Sequence, residues 1–138
     1  MIAPLVALSG LQAATLRLDA SASNVANANT AGATAKAAAA AAARGEAASA
    51  GYQPLMVQQA AISGYGVAAT LKPNNAPARP VYAPASRLAD SDGMVAMPDV
   101  DPGEEAVAQI LAVNAYRASL SVIRTSGEMD DALLDLKA

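Results

Sequence analysis

The sequence contains neither histidine nor cysteine in its 138 residues. Without them no Ser-His or Cys-His nucleophile can be assembled, no disulfide can form, and a zinc site of the His/Cys type is excluded. The adjacent carboxylates Glu104 and Glu105 lie on a predicted helix, where neighbouring side chains diverge, so they do not make an acid–base pair. We therefore predict that the chain is not an enzyme, binds no cofactor and holds no metal ion.

Large aromatic side chains are almost absent as well. The chain has no Phe, no Trp and four Tyr, and although 54% of its residues are hydrophobic, much of that fraction is alanine. The length predicts one domain. Because aromatic residues supply much of the buried area in ordinary cores, a single copy would have a thin core. We expect a chain that packs against other subunits; the alternative is a small alanine-rich helical domain that folds alone.

Positive charge is sparse and scattered. The nine Lys and Arg residues are spread from Arg17 to Lys137, and the net charge is −3, so no basic stripe for nucleic-acid phosphates is present. No uninterrupted apolar run is long enough to cross a bilayer as a helix. We predict neither a nucleic-acid partner nor a direct membrane span.

The apolar stretch 1–16 resembles the core of a secretory signal peptide, and residues 20–22 (Ala-Ser-Ala) resemble its cleavage site. Three features oppose that interpretation. No Lys or Arg precedes the stretch, Arg17 and Asp19 lie where a cleavage region should be uncharged, and the leucines are spaced like one face of a helix. We expect the segment to be retained, with a cleaved signal peptide as the alternative.

The chain does contain an amphipathic stripe near each end. Residues at spacings of three and four form the two sets Leu8, Leu11, Thr15, Leu18, Ala22 and Val25, and Val113, Tyr116, Leu120 and Ile123. This spacing places each set on one face of a helix and is typical of a coiled-coil-like seam. The predicted fold class is mainly α, with two long terminal helices packed antiparallel and a small β-containing insertion between them.

Three asparagines, Asn24, Asn27 and Asn29, end the first stripe. An Asn side chain carries donors and acceptors, so it can cap the helix end or bond to a neighbouring chain. We give the two explanations equal weight. The predicted assembly interface consists of Leu8, Leu11, Leu18, Asn24, Val25, Asn27, Asn29, Ile110, Val113, Tyr116, Leu120 and Ile123.

Changes in composition divide the chain into four segments. Residues 1–30 form the first assembly helix with the Asn-rich motif, residues 31–50 an alanine-rich linker, residues 51–100 a β or extended insertion, and residues 101–138 the second assembly helix. Alanine is the best helix former, but so short a segment is marginal alone. For the linker we favour a short helix over a variable spacer.

Local patterns refine these segments. We expect the first helix over residues 4–28 and the last over residues 102–136, because each begins and ends with residues that suit helix termini. Residues 67–71 alternate and residues 94–97 form a short apolar run, so both are predicted strands. Residues 90–93 (Asp-Ser-Asp-Gly) have part of a calcium-loop pattern, but with the wrong spacing, which favours a plain turn.

Two groups of motifs resemble a known family. Residues 8–11 (Leu-Ser-Gly-Leu) and 22–30 (Ala-Ser-Asn-Val-Ala-Asn-Ala-Asn-Thr) resemble the N-terminal signature of bacterial flagellar axial proteins, the rod and hook group. Residues 92–101 and 114–118 (Asn-Ala-Tyr-Arg-Ala) are most similar to the family of basal-body rod protein C, short subunits of the proximal rod. That family's usual Pro-Gly-Tyr is replaced by residues 31–33 (Ala-Gly-Ala), so the aromatic contact of that turn is missing.

The resemblance implies a structural subunit of the flagellar basal-body rod, the drive shaft between motor and hook. The implied partners are copies of itself and other flagellar rod proteins, which together form a helical tube. The flagellar type III export apparatus would deliver the chain to the periplasm without cleavage. The alternatives are another rod or hook-proximal axial protein, or a secreted cell-wall-binding domain with a cleaved signal peptide.

Overall fold

The computed structural model describes residues 3–136, and within them the chain has three helices and two two-stranded sheets. In chain order these are α1 (Ala3–Asn27), α2 (Ala35–Ala43), β1 (Leu55–Ile62), β2 (Gly66–Pro73), β3 (Arg79–Tyr82), β4 (Met94–Met97) and α3 (Pro102–Asp135). The predicted mainly α fold, with two long helices and a strand-containing insertion between them, is confirmed.

The chain forms two units. The first contains α1 up to Ala22, the segment Met56–Lys72 and residues 103–136. The second contains Ser23–Leu55 and Pro73–Pro102. The two long helices therefore organise the first unit, and the alanine-rich helix with β3 and β4 organises the second.

In the first unit, α1 and α3 pack side by side and run antiparallel. Near the end of α1, the Ser21 hydroxyl donates a 3.1 Å hydrogen bond to the carbonyl oxygen of Glu105, at the start of α3. Earlier in α1, Gly10 lies against Ser119, and a Cβ atom added at Gly10 would be 2.9 Å from the Ser119 Oγ. Later positions on one helix thus meet earlier positions on the other, as predicted.

Small residues form the seam between the two helices. Ala7, Ala14 and Ser21 of α1 are buried at intervals of seven, and Ala112 and Ser126 of α3 are buried at twice that interval. A repeat of seven is typical of helices that wind around each other. Small side chains at those positions let the two backbones approach closely.

The leucine stripe predicted for this seam lies beside it instead. Leu8 and Leu18 remain 44% and 37% exposed, while the small residues are buried. Both stripes have helical spacing, and hydrophobicity alone favours the leucines. The contact between Gly10 and Ser119 shows the physical reason for the difference, because helices this close have no room for leucine side chains between them.

The β1–β2 hairpin packs on a second face of α1. The Ser9 hydroxyl accepts a 3.0 Å hydrogen bond from the backbone N–H of Val67. The Arg17 guanidinium donates a 2.6 Å bond to the side-chain oxygen of Gln59. Strand β2 confirms the strand predicted over residues 67–71, whereas β1 carries no clean alternation of polar and apolar residues and was not expected.

In the second unit, the alanine-rich linker is a short helix, as we favoured. Thr34 begins α2, because its hydroxyl accepts a 3.2 Å hydrogen bond from the backbone N–H of Ala37. The helix ends where Arg44 and Gly45 turn the chain, with a φ of 73° at Gly45. A positive φ is readily adopted by glycine, so this residue suits the stop.

The β3–β4 pair holds the small core of the second unit. The two strands are antiparallel, with Val81 opposite Val95, and Val95 is only 2% exposed. Gly32 pairs with Ala96 through two backbone hydrogen bonds of 2.8 and 3.0 Å. The turn at residues 31–33, which lacks the family's aromatic residue, is therefore fixed through its backbone. Strand β4 confirms the second predicted strand.

Candidate assembly surface

Large apolar side chains of α1 face solvent. Leu5, Leu8, Leu18 and Val25 are all exposed by more than a third of their surface, whereas Leu11 is half-buried. A helix that buries alanine and serine and exposes leucine and valine reverses the usual distribution. Exposed apolar surface of this kind marks a site of interaction with another molecule.

Helix α3 shows the same reversal over its whole length. Ten large apolar residues of this helix and the residue after it are exposed, and they are Val107, Ile110, Leu111, Tyr116, Leu120, Val122, Met129, Leu133, Leu134 and Leu136. Of the residues predicted to form the interface, Val113 and Ile123 are half-buried. Predicted apolar interface residues are thus accessible on both helices, and α3 exposes further large apolar residues that the sequence pattern did not identify.

A groove within the first unit brings predicted residues of both helices together. This α1/α3 groove has a volume of about 470 Å³. Its apolar wall contains Leu18 from α1 and Ile110 and Val113 from α3; its other residues are Ala106, Gln109, Asn114 and Arg117. Leu18 and Val113 therefore lie on one concave surface, which the antiparallel arrangement predicted.

Asn24, in contrast, bonds within its own chain. Its side-chain oxygen accepts hydrogen bonds from the backbone N–H of Leu55 at 2.7 Å and from the Tyr52 hydroxyl at 2.9 Å. Its side-chain nitrogen donates a 2.9 Å bond to the carbonyl oxygen of Leu55. The residue is only 4% exposed. The Asn24 carboxamide therefore bonds both backbone groups of Leu55, the first residue of β1, as the backbone of a neighbouring strand would.

The other two asparagines differ from Asn24 and from each other. The Asn27 side chain donates a 2.9 Å bond to the carbonyl oxygen of Ser23, one turn back along α1, which is a local helix-end contact. Asn29 is exposed beyond the end of the helix. Local bonding thus accounts for Asn27, and Asn29 remains available for the contact with another subunit that we expected.

The acidic turn at residues 90–93 uses its carboxylate internally. The side chain of Asp90 accepts hydrogen bonds from the backbone N–H groups of Asp92 and Met94, at 2.9 and 3.0 Å, and from the Thr34 hydroxyl at 2.7 Å. The Met94 N–H and the Thr34 hydroxyl hold the pKa of Asp90 below its ordinary value of 3.8. Residues 90–93 form a turn, as predicted, with the Gly93 N–H donating a 3.0 Å bond to the carbonyl oxygen of Asp90. Among residues 3–136 no group of three or more His, Cys, Asp or Glu side chains is placed to hold a metal ion.

By length and composition alone, α3 is apolar enough to cross a membrane, and only 6% of its most apolar window is buried. Gln109, Asn114 and Arg117 lie within this helix, and polar groups of this kind are costly inside a bilayer. The seam residues Ala112 and Ser126 are already packed in the protein. These features favour a protein partner for its exposed face.

Two long packed helices with exposed apolar faces fit a subunit that assembles with others, and comparisons with known proteins give its class, the axial proteins of the flagellar basal body. Residues 5–34 match the family described as flagella basal body rod protein, and residues 91–136 match the C-terminal family of the flagellar basal body rod FlgEFG proteins. These two matches cover α1 and α3.

Relatives over nearly the whole chain give the particular family. The flagellar basal-body rod protein FlgC of Salmonella typhimurium is 34% identical over 124 residues, which are 90% of this chain and 87% of that protein. FlgC of Escherichia coli O6:H1 is 33% identical over the same shares, and FlgC of Yersinia enterocolitica is 34% identical over 88% and 85%. The chain belongs to the FlgC family of flagellar basal-body rod proteins and is a structural subunit of the rod.

Sequence reasoning missed the small-residue seam and strand β1. The seam had a visible signal, since Ala7, Ala14 and Ser21 recur at intervals of seven. The contact of Asn24 with Leu55 had none, because it joins positions 31 residues apart. Only the fold brings such a pair together.

Proposed function

We propose that the exposed apolar faces of α1 and α3 are the surfaces through which this rod subunit assembles with copies of itself and with other rod proteins. One observation carries the proposal: the large apolar side chains of both helices face solvent, while alanine and serine are buried in the seam. The proposed interface comprises the twelve predicted residues except Asn24 and Asn27, whose side chains bond within the chain.

The energetics support an assembly role. Burying one leucine- or valine-sized side chain is worth about 1.5–3 kcal/mol, so several such contacts per neighbour provide a large driving force. A surface of this kind also carries a risk of nonspecific association before assembly. Contacts between different faces of successive copies do not close on themselves and produce the open helical tube that a shaft requires.

We further propose that the chain acts without enzymatic activity in the periplasmic part of the basal body. The flagellar type III apparatus would deliver it there. A thin core supports passage in an unfolded form, since no large side chain among residues 3–136 is fully buried. Retention of the first helix is supported by its packing, because cleavage after Ala22 would remove half of the small-residue seam.

A pair of matched substitutions tests the proposal. Leu18→Asp places a charge on the proposed surface, and Leu71→Asp places one on the β1–β2 hairpin, at a site of similar exposure (37% against 42%). Both side chains are accessible, so neither change should unfold the subunit. We expect Leu18→Asp to abolish motility and assembled basal bodies while export continues, and Leu71→Asp to leave both near normal.

The measurement compares motility, periplasmic subunit and purified basal bodies in the same strains, with Arg44→Ala as a second control. Normal swimming with Leu18→Asp would remove the case for this surface. Mass spectrometry of the subunit from basal bodies should also find peptides that precede Ala20. Their absence, with cleavage after Ala22, would support a secreted domain with a signal peptide instead.

A further inference from the structure

The last turns of α3 project beyond α1. Ala3, the first described residue of α1, lines one groove with Val122 and Met129, whereas α3 continues to Asp135. We call residues 129–136 the projecting segment. Within it, Leu133, Leu134 and Leu136 are 65%, 67% and 86% exposed, among the most exposed large apolar residues of the described chain.

The projecting segment is apolar on one face and acidic beside it. Met129, Leu133 and Leu136 follow at intervals of four and three, which places them on one side of the helix. Asp130, Asp131 and Asp135 carry negative charge around that face, and no basic residue lies within the segment. A partner for this segment needs an apolar concavity with a positive charge at its rim.

The α1/α3 groove has both properties. Leu18, Ile110 and Val113 supply apolar wall, and Arg117 supplies a cation at the groove. Arg117 is exposed and takes no part in the ion pairs of the second unit, Lys36 with Asp92 and Arg44 with Glu46.

The groove and the projecting segment of one chain cannot meet. Ile110 and Leu133 lie on the same continuous helix, and 23 residues at 1.5 Å each separate them by about 35 Å. Any contact between the two surfaces must therefore join different molecules. Since each chain carries one of each, a contact made in one direction repeats from copy to copy as a head-to-tail assembly, whereas a reciprocal exchange would close a two-fold dimer. The open assembly that a rod requires favours the head-to-tail contact, and a closed dimer as the only product of a chain with both cysteines would contradict it.

We propose that the projecting segment of one copy docks in the α1/α3 groove of the next copy, with its leucines against Leu18, Ile110 and Val113 and its aspartates beside Arg117. This inference rests on the proposed assembly function and specifies which two surfaces of the subunit meet. Complementary charge selects the partner and the orientation, and apolar burial holds the contact.

Cysteine cross-linking tests the pairing, because the chain has no cysteine of its own. A tagged full-length chain with Ile110→Cys is mixed with an untagged chain carrying Leu133→Cys and oxidised. The matched control is tagged Leu111→Cys, which has the same 60% exposure as Ile110 but does not line the groove. We expect a tagged–untagged dimer with Ile110→Cys and at least tenfold less with Leu111→Cys. A chain carrying both Ile110→Cys and Leu133→Cys should form a ladder of oligomers.

Charge reversal provides a second readout. Arg117→Glu in the Ile110→Cys chain should lower the yield of cross-linked dimer about tenfold, and Asp131→Lys with Asp135→Lys in the Leu133→Cys chain should restore it. Equal cross-linking at Leu111 and Ile110, or no effect of the charge change, would overturn the pairing. In basal bodies, a cross-link from Ile110→Cys to a different rod protein alone would also overturn it.

The same strains separate this inference from the function on which it rests. If the variants enter basal bodies but do not cross-link between positions 110 and 133, the pairing is wrong and the assembly function stands. If the unsubstituted chain is absent from basal bodies, the assembly function is wrong, whatever purified chains do in solution.

Discussion

Asn24 makes at least three hydrogen bonds through one buried carboxamide. Its one carboxamide presents an acceptor to the N–H of Leu55 and a donor to the carbonyl oxygen of the same residue. The Asn24 side-chain oxygen also accepts a hydrogen bond from the Tyr52 hydroxyl. The oxygen of that hydroxyl lies 3.0 Å from the Ser23 hydroxyl oxygen, with which it also forms a hydrogen bond. Among the natural side chains only an amide supplies a donor and an acceptor side by side, so neither Asp nor Leu can replace it.

We predict that Asn24→Asp destabilises the chain by about 2–4 kcal/mol, because a buried carboxylate oxygen would face the carbonyl oxygen of Leu55. Tyr52→Phe, which removes one hydrogen bond, should cost about 1 kcal/mol. Asn29→Asp is the control, since that residue is exposed and should change stability by no more than about 0.5 kcal/mol. Thermal unfolding followed by circular dichroism measures all three. Equal effects at Asn24 and Asn29 would contradict the internal role of Asn24.

Asp90 gives the second unit a dependence on pH. The backbone N–H of Met94, then the Thr34 hydroxyl and the N–H of Asp92, hold its pKa below 3.8, with a contribution from the charge of Lys36. A carboxyl whose pKa is lower in the folded chain stabilises the fold above its unfolded pKa, and this stabilisation is lost as the pH falls through the folded value.

We predict that the unfolding temperature falls between pH 6 and pH 3 by more in the natural chain than in Asp90→Asn. The Asn side chain can still accept the two backbone bonds, but it does not titrate. Asp99→Asn, at an exposed position, is the matched control and should behave like the natural chain. If Asp90→Asn loses as much stability in acid as the natural chain does, Asp90 makes no pH-dependent contribution.

At the scale of elements, the approach of α1 to α3 depends on small side chains. A Cβ at Gly10 would lie 2.9 Å from the Ser119 hydroxyl oxygen, whereas a Cβ at Gly127 of α3 would meet nothing within 4 Å. Both glycines lie within helices, where glycine is less favourable than other residues. A larger residue should raise helix propensity at both sites, but only at Gly10 would its side chain collide with the other helix.

We predict that Gly10→Leu destabilises the first unit by about 1–3 kcal/mol by forcing the helices apart. Gly127→Leu should instead stabilise it by about 0.5–1 kcal/mol, because α3 gains helix propensity without a clash. Denaturant unfolding of the two variants at equal concentration measures the difference. A stabilising effect of Gly10→Leu would mean that the helices are not in contact at this position.

The elements themselves were largely predictable, and their pairings were not. Both long helices begin and end within a residue or two of the expected positions, because their periodicity and terminal residues are strong local signals. Strand β1 was missed because its exposed glutamines and alanines lack alternation, and because the partner of its first residue, Leu55, is Asn24, 31 positions away. The interval of seven marks the small-residue seam as a candidate, but the choice between it and the leucine stripe depends on the distance between the helices, which the sequence pattern alone does not give.

At the scale of the whole molecule, the main property is that burial within one chain is slight. Among residues 3–136, the buried apolar residues are alanines apart from Val95 and the prolines Pro54 and Pro98. Alanine contributes little hydrophobic stabilisation, while ordering each backbone residue costs about 1–2 kcal/mol in entropy. We therefore expect assembly to supply a large share of the stability of the two helices.

We predict that helicity increases with protein concentration, since association stabilises a fold by mass action. Hydrogen exchange on a dilute monomer, verified by sedimentation, should be fast over residues 4–28 and 102–136, and slow when subunits associate. Ile110→Asp, which weakens the proposed contact, should keep exchange fast at higher concentration. Strong protection of both helices in a verified monomer would contradict this expectation and favour a chain that folds alone.

The function followed from sequence more readily than the contacts that perform it. The motifs at residues 8–11 and 22–30 identified the flagellar axial group, and those at residues 92–101 and 114–118 identified the FlgC family within it. In contrast, the sequence allows Asn24 either a local cap or a contact with a neighbouring chain, and the structure buries it within its own chain. A motif indicates membership, but the partner of each side chain depends on the three-dimensional path of the chain.

The antiparallel arrangement of α1 and α3 also decides where a label can be attached. The start of α1 and the last turns of α3 lie at the same end of the helix pair, where Ala3 and Met129 line one groove. A fluorescent protein fused near either helix end would crowd the same region. The turn at Arg44–Gly45 is exposed, and a Cβ at Gly45 would meet nothing within 4 Å. Such exposed turns tolerate inserted sequence, so imaging of this subunit in living cells is better served by a reporter placed after Arg44.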